Sequence, residues 1–253
     1  MRWATGKHAL ITGGGTGIGA ATAKMLAEAG AMVSLVGRRP EPLEEVAGLT
    51  GGKIFPADMT DRGAMERAFA DARAANGPFD IVILNAGIGD SAPFLRTKRE
   101  AWDRIIATNL TALFDGAQLT LPDLTQGEDK RLIIVASVAG LRGAAYAAPY
   151  VASKHGAIGL MKSLAVEFAK TGLTVNAVCP AFVDTPMVDD SATRISKTTG
   201  RSEDDARAAL AAMNANGRLV TSEEVADAIA FLCKPSSRSI TGAALTIDGG
   251  TTA

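Results

Sequence analysis

The sequence predicts a doubly wound α/β domain: a parallel sheet of about seven strands with helices on both faces. Three observations predict it. Short apolar, β-rich runs alternate with helical stretches along the whole chain. Several of these runs are continuously apolar, as in strands covered on both faces. No linker, repeat or low-complexity segment divides residues 1–253, so one domain is the economical answer. Repeated strand–helix–strand units require right-handed crossovers. They place a ligand beyond the carboxyl ends of the strands.

The strands are expected at His8–Thr12, Ala31–Val36, Lys53–Phe55, Asp80–Leu84, Leu132–Ala136, Leu173–Val178 and Ala243–Ile247. Between them, Gly17–Ala29 is Ala-rich and stops at Gly30, and Arg62–Ala75 ends at the breaker Asn76-Gly77-Pro78. Thr97-Lys98-Arg99-Glu100 and Thr221-Ser222-Glu223-Glu224 both have the spacing of a capping box. A long helix is expected over Tyr150–Lys170, closed by Gly172.

Composition narrows the function. The 253 residues carry a formal net charge of −1, with 47% apolar and 21% charged side chains. That is ordinary globular usage, without the basic footprint of a nucleic-acid-binding protein. Cys179 and Cys233 sit in apolar runs, with no second Cys or His at ligand spacing, so no metal site is expected. No signal peptide is visible, and no run reaches the roughly 20 apolar residues of a membrane span. A soluble, cytoplasmic protein is expected.

The chemistry begins after the first strand, at Thr12-Gly13-Gly14-Gly15-Thr16-Gly17-Ile18-Gly19. Glycines there permit a tight turn and let backbone N–H groups approach a pyrophosphate, with the helix N-terminus adding donors and a positive dipole end. Strict G-x-G-x-x-G spacing is absent, and only an Ala-ended relative from Gly15 fits. The second strand ends at Val36-Gly37-Arg38-Arg39, about 20 residues on, where a carboxylate would bind the ribose 2′-hydroxyl of NAD. None is present. Gly37 leaves room and Arg38 suits a 2′-phosphate, which favours NADP while leaving NAD open.

Tyr150 and Lys154 are four apart on one helix and share a face. Ser137 follows the fifth strand directly, and Asn109 falls within the helix opened near Thr97. Reducing a ketone needs a hydride and a proton. Free tyrosine has a pKa of about 10, and a nearby ammonium favours the phenolate. Lys154 is placed to supply that charge, Ser137 to donate to the carbonyl oxygen, and Asn109 to hold a water that links Lys154 to solvent. His155 points about 100° away from Lys154 and is expected to pack or face solvent. His8 is expected to be structural.

With these motifs the chain resembles the short-chain dehydrogenase/reductase family, in its single-domain, Rossmann-type branch. Thr12, Gly13, Gly17 and Gly19 match its glycine loop, with Gly15, Thr16 and Ile18 between them. Asn85, Ala86 and Gly87 match its Asn-Ala-Gly motif, and Asp58, beside Met59, its adenine-binding acid. The resemblance implies catalytic roles for Asn109, Ser137, Tyr150 and Lys154. It implies cofactor contacts for Arg38, Arg39, Asp58, Met59, Tyr150, Lys154, Pro180, Val183 and Thr185. Two positions depart from the pattern. Ala181 stands where the family has Gly, a costly exchange if φ there must be positive. Thr16 stands where many NADP-binding relatives are basic.

The runs Ala147–Gly156 and Val175–Pro180 are similar to those of 3-oxoacyl thioester reductases and polyketide ketoreductases. A 3-oxoacyl or 3-hydroxyacyl substrate follows, carried on coenzyme A or acyl carrier protein, and family habit implies a homotetramer. Residues 187–219 are expected to form a substrate lid. Within it Met187, Val188, Ile195 and Met213 are candidate apolar contacts, and Arg194, Lys197 and Arg201 candidate anion contacts. An NAD-dependent dehydrogenase of a hydroxysteroid, sugar alcohol or other cyclic alcohol uses the same scaffold and stays open. A nucleotide-sensing regulator would be expected to lack part of the four-residue set, and all four residues are present.

Overall fold

The structure, a computed structural model, describes residues 2–253. Seven parallel strands run β1 (His8–Thr12), β2 (Met32–Gly37), β3 (Lys53–Pro56), β4 (Ile81–Leu84), β5 (Lys130–Val135), β6 (Leu173–Pro180) and β7 (Ala244–Ile247). They lie in the order β3-β2-β1-β4-β5-β6-β7. The order reverses between β1 and β4, so a crevice opens beyond their carboxyl ends.

Apolar runs behave as doubly covered strands should. In β1, Ala9 and Ile11 enter a core with α1 (Gly17–Glu28), α2 (Pro40–Thr50) and α9 (Ser222–Cys233). Leu10 enters the opposite core with α3 (Arg62–Asn76), α5 (Ala112–Leu124) and α6 (Ala148–Glu167). Successive side chains point to opposite faces, and each fully buried Leu or Ile contributes about 1.5–3 kcal/mol. His8 is buried, bonded to the Gly77 carbonyl and to Ser34. Burial outweighs these partners and lowers its pKa, so its role is structural.

Some boundaries move. β5 begins at Lys130 rather than Leu132, because Lys130 Nζ pairs with Asp80 at 2.8 Å and its N–H joins Gly172. The long helix begins at Ala148 and ends at Glu167. The Thr221 capping box forms as expected; the one at Thr97 does not. Phe94–Arg96 make a 3-10 turn that Thr97 closes, its hydroxyl donating to the Pro93 carbonyl. α4 (Arg99–Ile106) therefore starts one residue later, with Lys98 at its cap.

Helix α2 was not among the sequence expectations, although Pro40 at its first turn and left-handed Gly51 at its end are ordinary helix signals. The segment 187–219 also folds, as α7 (Pro186–Thr199) and α8 (Glu203–Ala211) around a small core of Val188, Ala192, Ala206 and Leu210. Among the described residues no helix is long and apolar enough to cross a membrane.

Close packing at Gly19 gives a test of the fold. A Cβ there would run into the Gly13 carbonyl oxygen and lie 2.7 Å from Asn85 Nδ2. Gly19→Ala should lower Tm by about 4–8 °C, the shift for about 2 kcal/mol in a domain of this size. Calorimetry of the two proteins checks it, and an unchanged Tm would mean that the loop has room to spare.

Candidate active site

Beyond β1 the chain turns tightly, with positive φ at Gly13 (65°) and Gly17 (51°), and enters α1. Thr16 occupies the N-cap position, yet its side chain caps nothing, and the first turn holds no acid. The first N–H groups of α1 and the positive dipole end are thus left for an external anion.

This loop forms one side of a cleft of about 320 Å³. Gly13, Gly15 and Thr16 face it. Gly37, Arg38 and Arg39 close it at the end of β2, and Asp58 and Met59 beyond β3. Ala86 and Gly87 line it beyond β4. Asp58 Oδ1 accepts from both the N–H and the hydroxyl of Thr60, and these bonds, with Arg38 nearby, hold its carboxyl below the usual range. A donor-rich loop, an uncapped helix and two arginines where no carboxylate stands fit a phosphorylated dinucleotide.

Asn85 ties this loop to the rest. Its Nδ2 donates to the carbonyls of Thr12 and Gly13, while Thr12 Oγ1 accepts the N–H groups of Asn85 and Ala86. Ile18 is partly buried against the β1 core. After β6, the Pro180 carbonyl accepts from Ser137 Oγ at 3.4 Å, and Val183 bridges to Val220. A Cβ on Gly17 would lie 2.8 Å from Thr185 Cγ2, so Thr185 rests against the glycine loop. Ala181 is not among the residues with positive φ, so Ala in place of Gly carries no backbone penalty.

Gly87 connects the cleft to the polar quartet. A Cβ on it would sit 3.3 Å from Asn109 Oδ1 and 3.7 Å from Lys154 Nζ. Lys154 is buried, and its Nζ donates to the Val135 carbonyl at 2.9 Å and lies 5.7 Å from the centre of the Tyr150 ring. The Tyr150 phenol lies beside Ser137, whose Oγ accepts the Ala139 N–H. α6 positions Tyr150 and Lys154, and the first turn after β5 positions Ser137.

Asn109 is fully buried in a π turn, Ala107–Thr111, that joins α4 to α5. Its Oδ1 accepts the Ile88 N–H at 2.8 Å; its Nδ2 donates to the Ile88 carbonyl at 2.9 Å and to Ser153 Oγ at 3.3 Å. Both amide hydrogens are used. The side chain therefore fixes the segment after β4.

A family model described as enoyl-(acyl carrier protein) reductase matches residues 13–252. The chain belongs to the short-chain dehydrogenase/reductase family. It is an oxidoreductase of that family, similar over its whole length to enzymes of known activity. D-beta-hydroxybutyrate dehydrogenase of Rhizobium meliloti (strain 1021) is 36% identical, covering 98% of this chain and 99% of that one. The 3-oxoacyl-[acyl-carrier-protein] reductase FabG of Escherichia coli (strain K12) is 36% identical over 97% of both. The crystal structure of a single-substitution variant of actinorhodin polyketide ketoreductase with NADPH superposes with a TM-score of 0.92 at 33% identity, covering 98% of each chain.

In this dehydrogenase/reductase fold, some lining residues escaped the sequence expectations. Ile88, Arg104 and Thr108 line the cleft, as do Pro42 and Leu43, which pack against Gly15. Arg104 and Thr108 are four apart on the Asn109 helix, a spacing that would have placed them on its face. His155 is exposed, bonded to its own helix at Val151. In the 187–219 segment, Met187 lies against Gly89, but Val188 is buried in the helix pair's own core, with Ile195 packed on it. Arg194 donates to Ser191 within α7, while Lys197 and Arg201 are exposed at the helix's far end.

Burial dominates the titrations. It pushes the Tyr150 phenol up, partly offset by Ser137 beside it. The expected acidification is thus not built into the protein alone. Burial also pulls Lys154 down to about 8 and pushes Cys179, beside it, up to about 11.

Lys154 makes this testable through stability. Below pH 8 its amine is charged in folded and unfolded chains alike, and the burial penalty is present in full. Between pH 8 and 10.5 the folded chain has lost the proton and the unfolded chain has not. Stability therefore rises with pH across this window, by up to about 3 kcal/mol. Melting curves should shift in favour of wild type over Lys154→Met as pH rises through it. A pH-independent difference would exclude a buried, depressed amine.

Proposed function

We propose that the chain is an NADP-dependent reductase of a 3-oxoacyl thioester, working on the 3-oxoacyl/3-hydroxyacyl pair. One observation carries this reading: Ser137, Tyr150, Lys154 and Asn109 converge behind Gly87, at the inner end of a cleft closed by Arg38 and Arg39. The relatives named above support it, since a 3-oxoacyl reductase and a β-hydroxybutyrate dehydrogenase share the 3-oxo/3-hydroxy theme and the ketoreductase holds NADPH.

The glycine loop, with Gly13, Gly15, Thr16, Gly17, Ile18 and Gly19, would hold the pyrophosphate on α1. Arg38 and Arg39 would take the 2′-phosphate, Asp58 and Met59 the adenine, and Asn85, Ala86 and Gly87 the adjoining ribose. Pro180, Val183 and Thr185 would hold the carboxamide. When bound, the nicotinamide supplies the hydride. Tyr150 gives its phenolic proton to the carbonyl oxygen, which Ser137 also holds by donating its hydroxyl hydrogen. Lys154, its amine near half-protonated at pH 8, returns a proton toward Tyr150 and would hold the ribose beside it. Asn109 keeps Ile88, and with it Gly87, in place.

Residues 187–219 form the substrate lid in this reading, with Met187 against Gly89 as its contact to the cleft side. A homotetramer belongs to the same reading. Exposed Trp102 on α4, Phe114 on α5 and Val166 on α6, together with the open edge at β7, are surfaces that assembly would cover.

Two substitutions test the roles. Tyr150→Phe should keep NADPH binding and lose about 10²–10⁴ in kcat, the share of positioned proton transfer. Retained turnover with a 3-oxoacyl thioester would end the mechanism. Arg38→Asp should reverse the ratio of kcat/KM for NADPH and NADH, and an unmoved ratio would strip Arg38 of its role.

A further inference from the structure

Three guanidinium groups line the cleft, and the dinucleotide reading uses only two. Arg38 and Arg39 stand at the β2 end, whereas Arg104 reaches the same cleft from α4, one helical turn before Thr108. Its Nη2 donates to Asp90 Oδ2 at 2.7 Å, but the Arg104 side chain is 61% exposed. An ion pair so open to water is weak and easily exchanged.

The glycine loop itself lacks a cation. Between Gly13 and Gly19 the only polar side chain is Thr16, so an anion there meets backbone donors on one side. The one cationic side chain of the lining that the dinucleotide reading leaves unassigned is Arg104. The carboxylate in the lining, Asp58, spends Oδ1 on Thr60. A guanidinium that trades one exposed carboxylate for a phosphate held in a cleft gains a stronger, charge-assisted fork of hydrogen bonds.

We propose that Arg104 is a third phosphate-binding arginine of this cleft, one that leaves Asp90 when a phosphate enters. The inference rests on the cleft taking a phosphorylated ligand. Two sources share that chemistry: the pyrophosphate of the dinucleotide, and a phosphate of a coenzyme A carrier.

The test measures binding before turnover. Fluorescence titration gives Kd for NADPH and NADH with wild type, Arg104→Gln and Asp90→Asn. If the dinucleotide supplies the phosphate, Arg104→Gln raises both Kd values about tenfold, the loss of one charge-assisted contact, and Asp90→Asn lowers them by releasing the arginine. If the carrier supplies it, both Kd values hold. KM for a 3-oxoacyl-coenzyme A then rises in Arg104→Gln and falls in Asp90→Asn, with no change for the phosphate-free N-acetylcysteamine thioester. Either pattern supports the assignment. Equal weakening by both variants would make the pair a mere loop clamp and overturn it, as would no effect on any ligand. Failure of NADPH to bind wild type would overturn the dinucleotide reading along with it.

Discussion

The Thr12 and Asn85 side chains make four hydrogen bonds across the seam where the strand order reverses. The Thr12 hydroxyl takes the N–H groups of Asn85 and Ala86, and the Asn85 amide returns to the carbonyls of Thr12 and Gly13. β1 and β4 would leave these groups unpaired where their ladder ends, and unpaired backbone groups at a half-buried edge are costly. The exchange satisfies them and locks the glycine loop to the segment that carries Gly87. From there Asn109 fixes Ile88, and Gly87 faces Lys154. The cleft and the quartet keep their spacing because this seam does not open.

The site is assembled against the stability of the fold. Lys154 buries an amine with one protein acceptor, and burial makes the neighbouring Tyr150 phenol harder to ionise. Neither feature helps the chain fold. Sites that do chemistry commonly sit at such a disadvantage. Here the cost falls on strands β5 and β6 and the start of α6, which are packed on both sides of the sheet and can bear it.

Much of this is legible in the amino-acid order itself. Continuous apolar strands such as Ile81–Leu84 and glycine punctuation are local signals, and the sheet follows from them. Gly13, Gly17, Gly19, Ser137, Tyr150 and Lys154 are legible because each sits at a fixed offset from a strand end or along a helix. What escapes depends on distant partners. Thr97 has the spacing of a cap, yet the turn at Phe94–Arg96 claims it first. Val188 and Ile195 are apolar in a polar stretch, and only the pairing of α7 with α8 shows that they face each other. Arg104 lies 66 positions beyond Arg38 in the chain, and no sequence offset says that they border the same space.

The π turn between α4 and α5 has a further consequence. The Ala112 N–H reaches back five residues, to the Ala107 carbonyl, instead of four. The rod therefore contains one residue more than a uniform α-helix would need over that length. Deleting any single residue from Ala107–Thr111 would let the ladder heal into regular geometry, a locally better helix. The flanking halves would keep their relative orientation, and what would go is the wide turn that carries the Asn109 amide to Ile88. Evolution can exchange side chains along this rod with some freedom, but it cannot shorten it by one.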